Sequence, residues 1–335
     1  MNSTIQSIRF QTAIMLVLAV ALPLVVPTYY TQFASKAMLI SILAVSLNLI
    51  VGHGGLVGLC HGAFFGLGGY MLGFMSPEDS GAQLWFSVPV TLIAVGGVAA
   101  VIGYLSLRTR GIYFIMVTLA FGEMLYYLFH DTKIAGGSDG LYIYIKPELL
   151  IGTWNVVDLE NASTFYYVVL VCLTASIGLV SSITSSPFGH ALFAAKENEQ
   201  RALSLGYPVF WMRLGAFVIS GMMASLAGYF SAAQFGFVAP QMLGWHLSAT
   251  ILVMVVLGGM GSVLGPIFGA VALLGLEEIL KSSFEHWKLI KGFVIIAVVF
   301  ALPGGLQQII AMMMPVKQSD PDLLKPSYVR EKADV

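Results

Sequence analysis

The sequence predicts an all-α, polytopic transmembrane helical bundle of about eight to ten spans, some short or broken. Three observations carry that expectation. Of the 335 residues, 58% are hydrophobic and only 10% are charged, against roughly a quarter charged in an ordinary soluble domain. The mean hydropathy of +0.86 reflects apolar stretches along nearly the whole chain, which excludes a soluble body carrying one anchor. Those stretches run apolar for about twenty residues instead of alternating, so they suit helices and not barrel strands.

The candidate spans are 10–30, 35–51, 55–75, 84–107, 111–130, 163–184, 214–234, 246–261, 263–283 and 286–305. The first follows Arg9 and resembles a signal peptide, but no small-residue cleavage site follows Leu22, Pro23, Leu24 and Val25, so it reads as a retained span. The third, eighth and ninth are short or glycine-laden and are the places to expect a broken or re-entrant backbone. Eight full crossings is the alternative count.

Within this plan, residues 1–315 form the membrane domain, with an external loop at 131–162, a cytoplasmic loop at 185–213 and a polar cytoplasmic tail at 316–335. Ten crossings from a cytoplasmic N-terminus put Arg9, Arg108, Arg110, Lys196, Arg201, Arg213, Lys317, Lys325, Arg330 and Lys332 inside. Lys36, Lys133, Lys146, Lys281, Lys288 and Lys291 fall outside. That bias has the sign of the positive-inside rule and places both termini in the cytoplasm.

The formal net charge is −1 and the cations are scattered, which excludes a nucleic-acid partner. Cys60 and Cys172 both sit in apolar stretches, where a thiol acts as a small hydrophobe. No GxxxxGK[ST] loop is present, so the chain does not hydrolyse ATP by itself. Paired carboxylates, Ser/His/Asp sets and HExxH spacing are also missing from the spans, which speaks against an intramembrane enzyme.

In the 185–213 loop, Ser186 and Pro187 are a helix-start signal, strong helix formers follow from Ala191 to Leu205, and Gly206 is a stop. One short helix outside the membrane is predicted. Lys196, Glu197, Glu199 and Arg201 charge it, while Leu192, Ala195, Ala202 and Leu205 give it an apolar stripe suited to a groove on another protein. A solvated connector is the bland alternative.

The Glu197, Asn198, Glu199, Ala202, Leu205 and Gly206 pattern resembles the cytoplasmic coupling segment of binding-protein-dependent ATP-binding-cassette (ABC) importer permeases, of the branched-chain amino acid family. GHGGLVGLCHGAFFGLGGY at 52–70, RTRGIYFIMVTLAFGEM at 108–124, IAGGSDGL at 134–141, FVISGMMASLAGYF at 217–230, GFVAP at 236–240 and VLGGMGSVLGP at 256–266 also look like that family, in its order. The resemblance covers about 40–310; each block alone is weak, and their succession carries the assignment.

The resemblance implies a permease subunit in the bacterial cytoplasmic (inner) membrane, among membrane lipid, with no cofactor of its own. Two separate ATPase subunits bind ATP and Mg, a second related permease completes the pore, and a periplasmic or lipid-anchored binding protein delivers the solute. Branched-chain or related amino acids are the implied cargo, with urea or short amides the rival within the family. A self-sufficient secondary transporter or channel is the rival class. The resemblance assigns Glu197, Asn198, Glu199, Arg201 and Gly206 to ATPase coupling.

Asn48, His61, Phe64, Phe65, Tyr113, Thr118 and Glu123 are candidate pathway residues. Polar groups in apolar surroundings line routes or tie helices together. Glu123 lies well inside a span, where a charge costs roughly 3 kcal/mol and needs a partner. Arg108, Arg110 or another subunit is the expected one, and snorkelling to the interface is the alternative. The GGSDG turn at 136–140 is either a docking point for the binding protein or a tight capped loop.

Overall fold

Among the described residues, Pro27 precedes the first long helix, which runs without a break from Thr28 to Asn48 (α1) and continues as a π-helical turn over Leu49–His53. The computed structural model describes residues 20, 22–23, 26–77, 81–151, 154–157, 159–283, 285–301 and 305–306. Most of the first predicted span, 10–30, and the 316–335 tail lie outside them. The expected gap between 30 and 35 is absent, because polar residues there do not end the helix. Thr31 and Ser35 turn their hydroxyls back onto the carbonyls of Pro27 and Thr31, at 3.5 and 3.0 Å, so each is satisfied within the helix itself.

Eleven α-helices are present among the described residues. After α1 come α2 (His61–Met75), α3 (Leu84–Ser106), α4 (Ile112–Asp131) and α5 (Ala162–Ser185). The short pair α6 (Pro187–Glu197) and α7 (Glu199–Ser204) leads into α8 (Val209–Phe235). The last three are α9 (Trp245–Gly258), α10 (Gly265–Ser283) and α11 (Trp287–Ala301). Five of them, α1 with its π turn, α3, α4, α5 and α8, are long and apolar enough to cross a bilayer unaided. α9 is a shorter apolar helix.

α1 is the axis of the bundle: every side chain from Ser41 to Asn48 is buried, and α5, α8, α9 and α10 all pack on it. The most extensive contact is α2 on α8. A Cβ on Gly228 would stand 1.7 Å from the Phe65 carbonyl oxygen, and one on Gly68 would stand 2.0 Å from that of Ser225. Only hydrogen fits there, so the two backbones lie in direct contact.

Two breaks interrupt the helices where the glycines cluster. Residues 54–60 are unwound between α1 and α2, so the third predicted span is helical only from His61. Residues 259–264 separate α9 from α10, with Gly259 at φ 112° and Gly261 at φ 86°.

The predicted loop at 131–162 is partly ordered. Its Gly137–Asp139 turn packs on a 3-10 turn at Pro240–Leu243. Strand β1 (Leu141–Tyr142) pairs antiparallel with β4 (Phe237–Val238), in the register Leu141 to Val238 and Tyr142 to Phe237. Strands β2 (Leu149–Ile151) and β3 (Trp154–Val157) form a hairpin. The loop is thereby tied to the segment that leads from α8 into α9.

Candidate functional site

Ser186 caps α6 by accepting a hydrogen bond from Gly189 N at 3.3 Å, and Pro187 occupies the first turn, where its missing N–H costs nothing. The single predicted helix is in fact two. Asn198 leaves helical geometry (φ −154°, ψ 101°), and its Oδ1 accepts from Arg201 N at 3.0 Å to start α7. An asparagine there satisfies an orphan N–H better as a cap than as an interior residue, which turns the chain. Gly206 ends the pair at φ +84°, with Tyr207 N bonded back to Ala202 O at 3.2 Å, in the left-handed stop its type favours.

The corner at Asn198 overturns the expected apolar stripe. Leu192, Ala195 and Ala202 are each only 1% exposed and face this chain's own body, where Ala195, Ala202 and Val209 form a small core. A continuous helix would have kept Leu205 on that stripe; the turn rotates it outward, 70% exposed. The side chains facing solvent are instead Phe193, Leu203, Leu205 and Tyr207, accompanied by exposed Glu197 and Arg201.

Ion pairs fasten the helix pair to the membrane domain. Glu199 sits between Arg213 at the start of α8 and Arg110 in the α3–α4 connection, at 2.9 Å from each. Arg213 also donates to the Ala195 carbonyl at 3.3 Å. On the opposite flank, Lys196 Nζ donates to the carbonyl oxygen of Gly52 in the π turn at 2.8 Å. Neither Lys196 nor Arg213 belonged to the predicted coupling set; each is a cation in a chain that is only 10% charged, and that scarcity was the available signal.

Five of the predicted pathway residues, Asn48, His61, Phe64, Phe65 and Thr118, are buried in helix contacts. Asn48 donates to Ser262 O at 2.7 Å and accepts from Gly261 N at 3.2 Å, so it holds the 259–264 break against the end of α1. Thr118 accepts from Leu59 N at 3.2 Å and fastens the other break to α4. The Ser220 hydroxyl gives its proton to the Ser46 carbonyl at 2.5 Å, so the imidazole Nε2 of His61 is the donor in its 2.7 Å bond to Ser220. Phe64 packs edge-on to both His61 and Phe217.

Tyr113, by contrast, is 71% exposed on the outer face of α4. Glu123 does not pair with Arg108 or Arg110; Arg108 bonds the Tyr104 hydroxyl and Arg110 pairs with Glu199. Its Oε1 accepts from the backbone N–H of Trp245 at 3.1 Å, at the N-terminus of α9. Ser220, Ser46 and Ser248, which accepts from Gly62 N at 2.8 Å, complete a network that the sequence did not single out, because isolated serines in apolar helices carry no pattern. The seven residues thus divide among the two breaks, the α2–α8 contact, the α4–α9 junction at Glu123 and the exposed face of α4 at Tyr113.

Such an arrangement, two tethered helix breaks in a bundle with a short helix pair bolted to it, suits a transporter, whose sites are commonly built at discontinuous helices. A family model described as the permease component of a branched-chain amino acid transport system matches residues 29–299. The chain is similar to the high-affinity branched-chain amino acid transport system permease protein LivM of Escherichia coli strain K12. Identity is 32% over 324 residues, covering 91% of this chain and 76% of that protein. It is also similar to the Escherichia coli strain K12 permease LivH of the same named system, with 25% identity over 79% of this chain and 90% of LivH. The autoinducer 2 import system permease LsrC of Yersinia enterocolitica is 28% identical over 75% of this chain and 68% of that protein. No solved structure matches. The chain belongs to the branched-chain amino acid permease family of ABC importers, and is a multi-pass membrane transport subunit and not an enzyme.

Proposed function

We propose that this permease moves branched-chain or closely related amino acids inward as one half of a pore completed by a second, related permease. Two separate ATPase subunits, which bind ATP and Mg, dock on the α6–α7 pair, and both termini lie on that cytoplasmic side. A binding protein on the opposite side delivers the solute near the 131–162 loop. One observation carries the coupling role. Phe193, Leu203, Leu205 and Tyr207 project from a helix pair whose other face is locked to α8 and the α3–α4 connection through Glu199. An exposed apolar knob on a rigid mount suits insertion into a partner groove, with displacement passed to the membrane domain. The cargo rests on the names of the relatives; LsrC belongs to a system named for a different solute.

The test is to purify the tagged chain in mild detergent from its native host, identify its companions by mass spectrometry and measure ATP hydrolysis. Copurifying ATPases and a second permease, with hydrolysis stimulated by leucine and its binding protein, support the reading. A chain that purifies alone and transports without ATP sinks it in favour of a secondary transporter.

A further inference from the structure

The cytoplasmic end of α1 is where both helix breaks and the coupling helices meet. Its π-helical turn shifts the hydrogen-bond pattern, with Gly54 N reaching back to Leu49 O at 3.2 Å and Leu56 N to Ile50 O at 3.1 Å. Such turns are frequently found at functional sites. A helix C-terminus carries partial negative charge on carbonyls that lack helical donors, and a lysine there is favourable on both counts. Here the cation comes from another part of the chain: Lys196, in the last turn of α6, donates to Gly52 O at 2.8 Å. The stem of Lys196 lies along the start of the unwound segment, close enough that a Cβ on Gly55 would stand 2.7 Å from Lys196 Cγ.

The same turn grips the second break. Asn48 bonds Gly261 and Ser262, and a Cβ on Gly52 would stand 2.6 Å from Gly261 N. Three bodies therefore converge within one helical turn: the coupling helix through Lys196, residues 54–60 through the backbone, and residues 259–264 through Asn48. The other anchors of α6 and α7, Glu199 to Arg213 and Arg110, lead to the start of α8 and to the α3–α4 connection instead.

We propose that Lys196 is the positioning residue through which the coupling helices act on the helix breaks. Its cap on Gly52 holds residues 54–60 in place, and displacement of α6 by the ATPases withdraws the cap and frees both breaks to rearrange. This inference rests on the importer reading above and adds to it the point of transmission.

The experiment uses the whole complex purified from the native host and reconstituted in lipid nanodiscs for hydrogen exchange and in vesicles for leucine uptake. Exchange of peptides covering 54–60 and 187–197 is followed with and without ATP plus vanadate, for the unsubstituted chain, Lys196→Met and Lys196→Arg. In the unsubstituted complex both peptides respond to nucleotide together. In Lys196→Met the 187–197 response persists, the 54–60 response is lost, and leucine taken up per ATP hydrolysed falls about tenfold. Lys196→Arg, which keeps a cationic donor, stays within about twofold of the unsubstituted complex.

A 54–60 response that survives in Lys196→Met overturns the inference. So does loss of ATPase association in Lys196→Met, which makes Lys196 a docking residue. If the unsubstituted complex shows no ATP-dependent uptake, the importer reading itself fails and the inference falls with it.

Discussion

Glu123 Oε1 accepts a hydrogen bond from the backbone N–H of Trp245 at 3.1 Å, joining the middle of α4 to the first residue of α9. A carboxylate at a helix N-terminus satisfies an orphan donor and complements the helix dipole, an effect of about 1 kcal/mol. That accounts for an acid within an apolar helix without a cationic partner. Glu123→Ala is expected to lower the melting temperature of the detergent-solubilised protein, while Glu123→Gln, which keeps an acceptor oxygen, recovers most of the loss. Thermal unfolding followed by tryptophan fluorescence checks it. Equal damage from both substitutions, with uptake lost in each, would assign the charge itself a role in transport.

The bond from His61 to Ser220 is a different case, because both groups are fully buried. Ser220→Ala leaves the imidazole N–H without an acceptor, and a stranded buried donor costs about 1–3 kcal/mol. The same substitution frees the Ser46 carbonyl that Ser220 now occupies. Ser220→Ala is therefore expected to be more damaging than Ser225→Ala, although both serines lie buried on α8. The Ser225 hydroxyl only returns to the Met222 carbonyl of its own helix at 2.8 Å. Unfolding midpoints of the two variants in the same detergent give the comparison.

At Gly206 the demand is conformational alone. Its φ is +84°, and no heavy atom lies within 4 Å of where a Cβ would sit. A left-handed position disfavours any branched residue but tolerates asparagine. Gly206→Asn is expected to retain ATP-coupled uptake, whereas Gly206→Val, at a cost of about 1–2 kcal/mol in that turn, loses it while still inserting in the membrane. Uptake assays with immunoblots for membrane content separate the two outcomes. Normal uptake by Gly206→Val would remove this turn from the coupling path.

These positions also mark what the sequence disclosed. Apolar runs about a bilayer long located the helices, since burial in lipid demands that length. The dense glycines at 52–69 were compatible with close helix packing or with a break in the third span, and the structure shows both, with the break at 54–60. The kink at Asn198 was missed because helix formers flank it on both sides, and one side-chain cap to Arg201 N outweighed their propensity. The partners of Glu123 and Lys196 were out of reach for another reason: both are backbone groups, the Trp245 N–H and the Gly52 carbonyl. Every residue offers such groups, so composition and spacing cannot select one. Likewise Asn48, His61 and Thr118 were recognisable as polar groups in apolar helices, but only the folded chain shows what each is bonded to.

Glycines of identical composition make opposite predictions once their surroundings are known. Gly228 on α8 presses on α2, where an added Cβ would fall 1.7 Å from the Phe65 carbonyl oxygen, a rigid backbone atom that cannot move aside. Gly178 lies in α5 with nothing within 4 Å of such a Cβ. Alanine at Gly178 removes backbone freedom from the unfolded chain and raises helix propensity, worth about 0.5–1 kcal/mol in favour of the fold. Alanine at Gly228 must push α2 and α8 apart along the most extensive helix contact among the described residues, with loss of the tight packing that small residues allow. Gly178→Ala is expected to elute as a sharp, monodisperse peak with an unchanged or higher melting temperature. Gly228→Ala is expected to give little folded protein, measured by fluorescence-detected size exclusion of a tagged chain. A monodisperse, stable Gly228→Ala would show that the α2–α8 contact is looser than these backbones indicate.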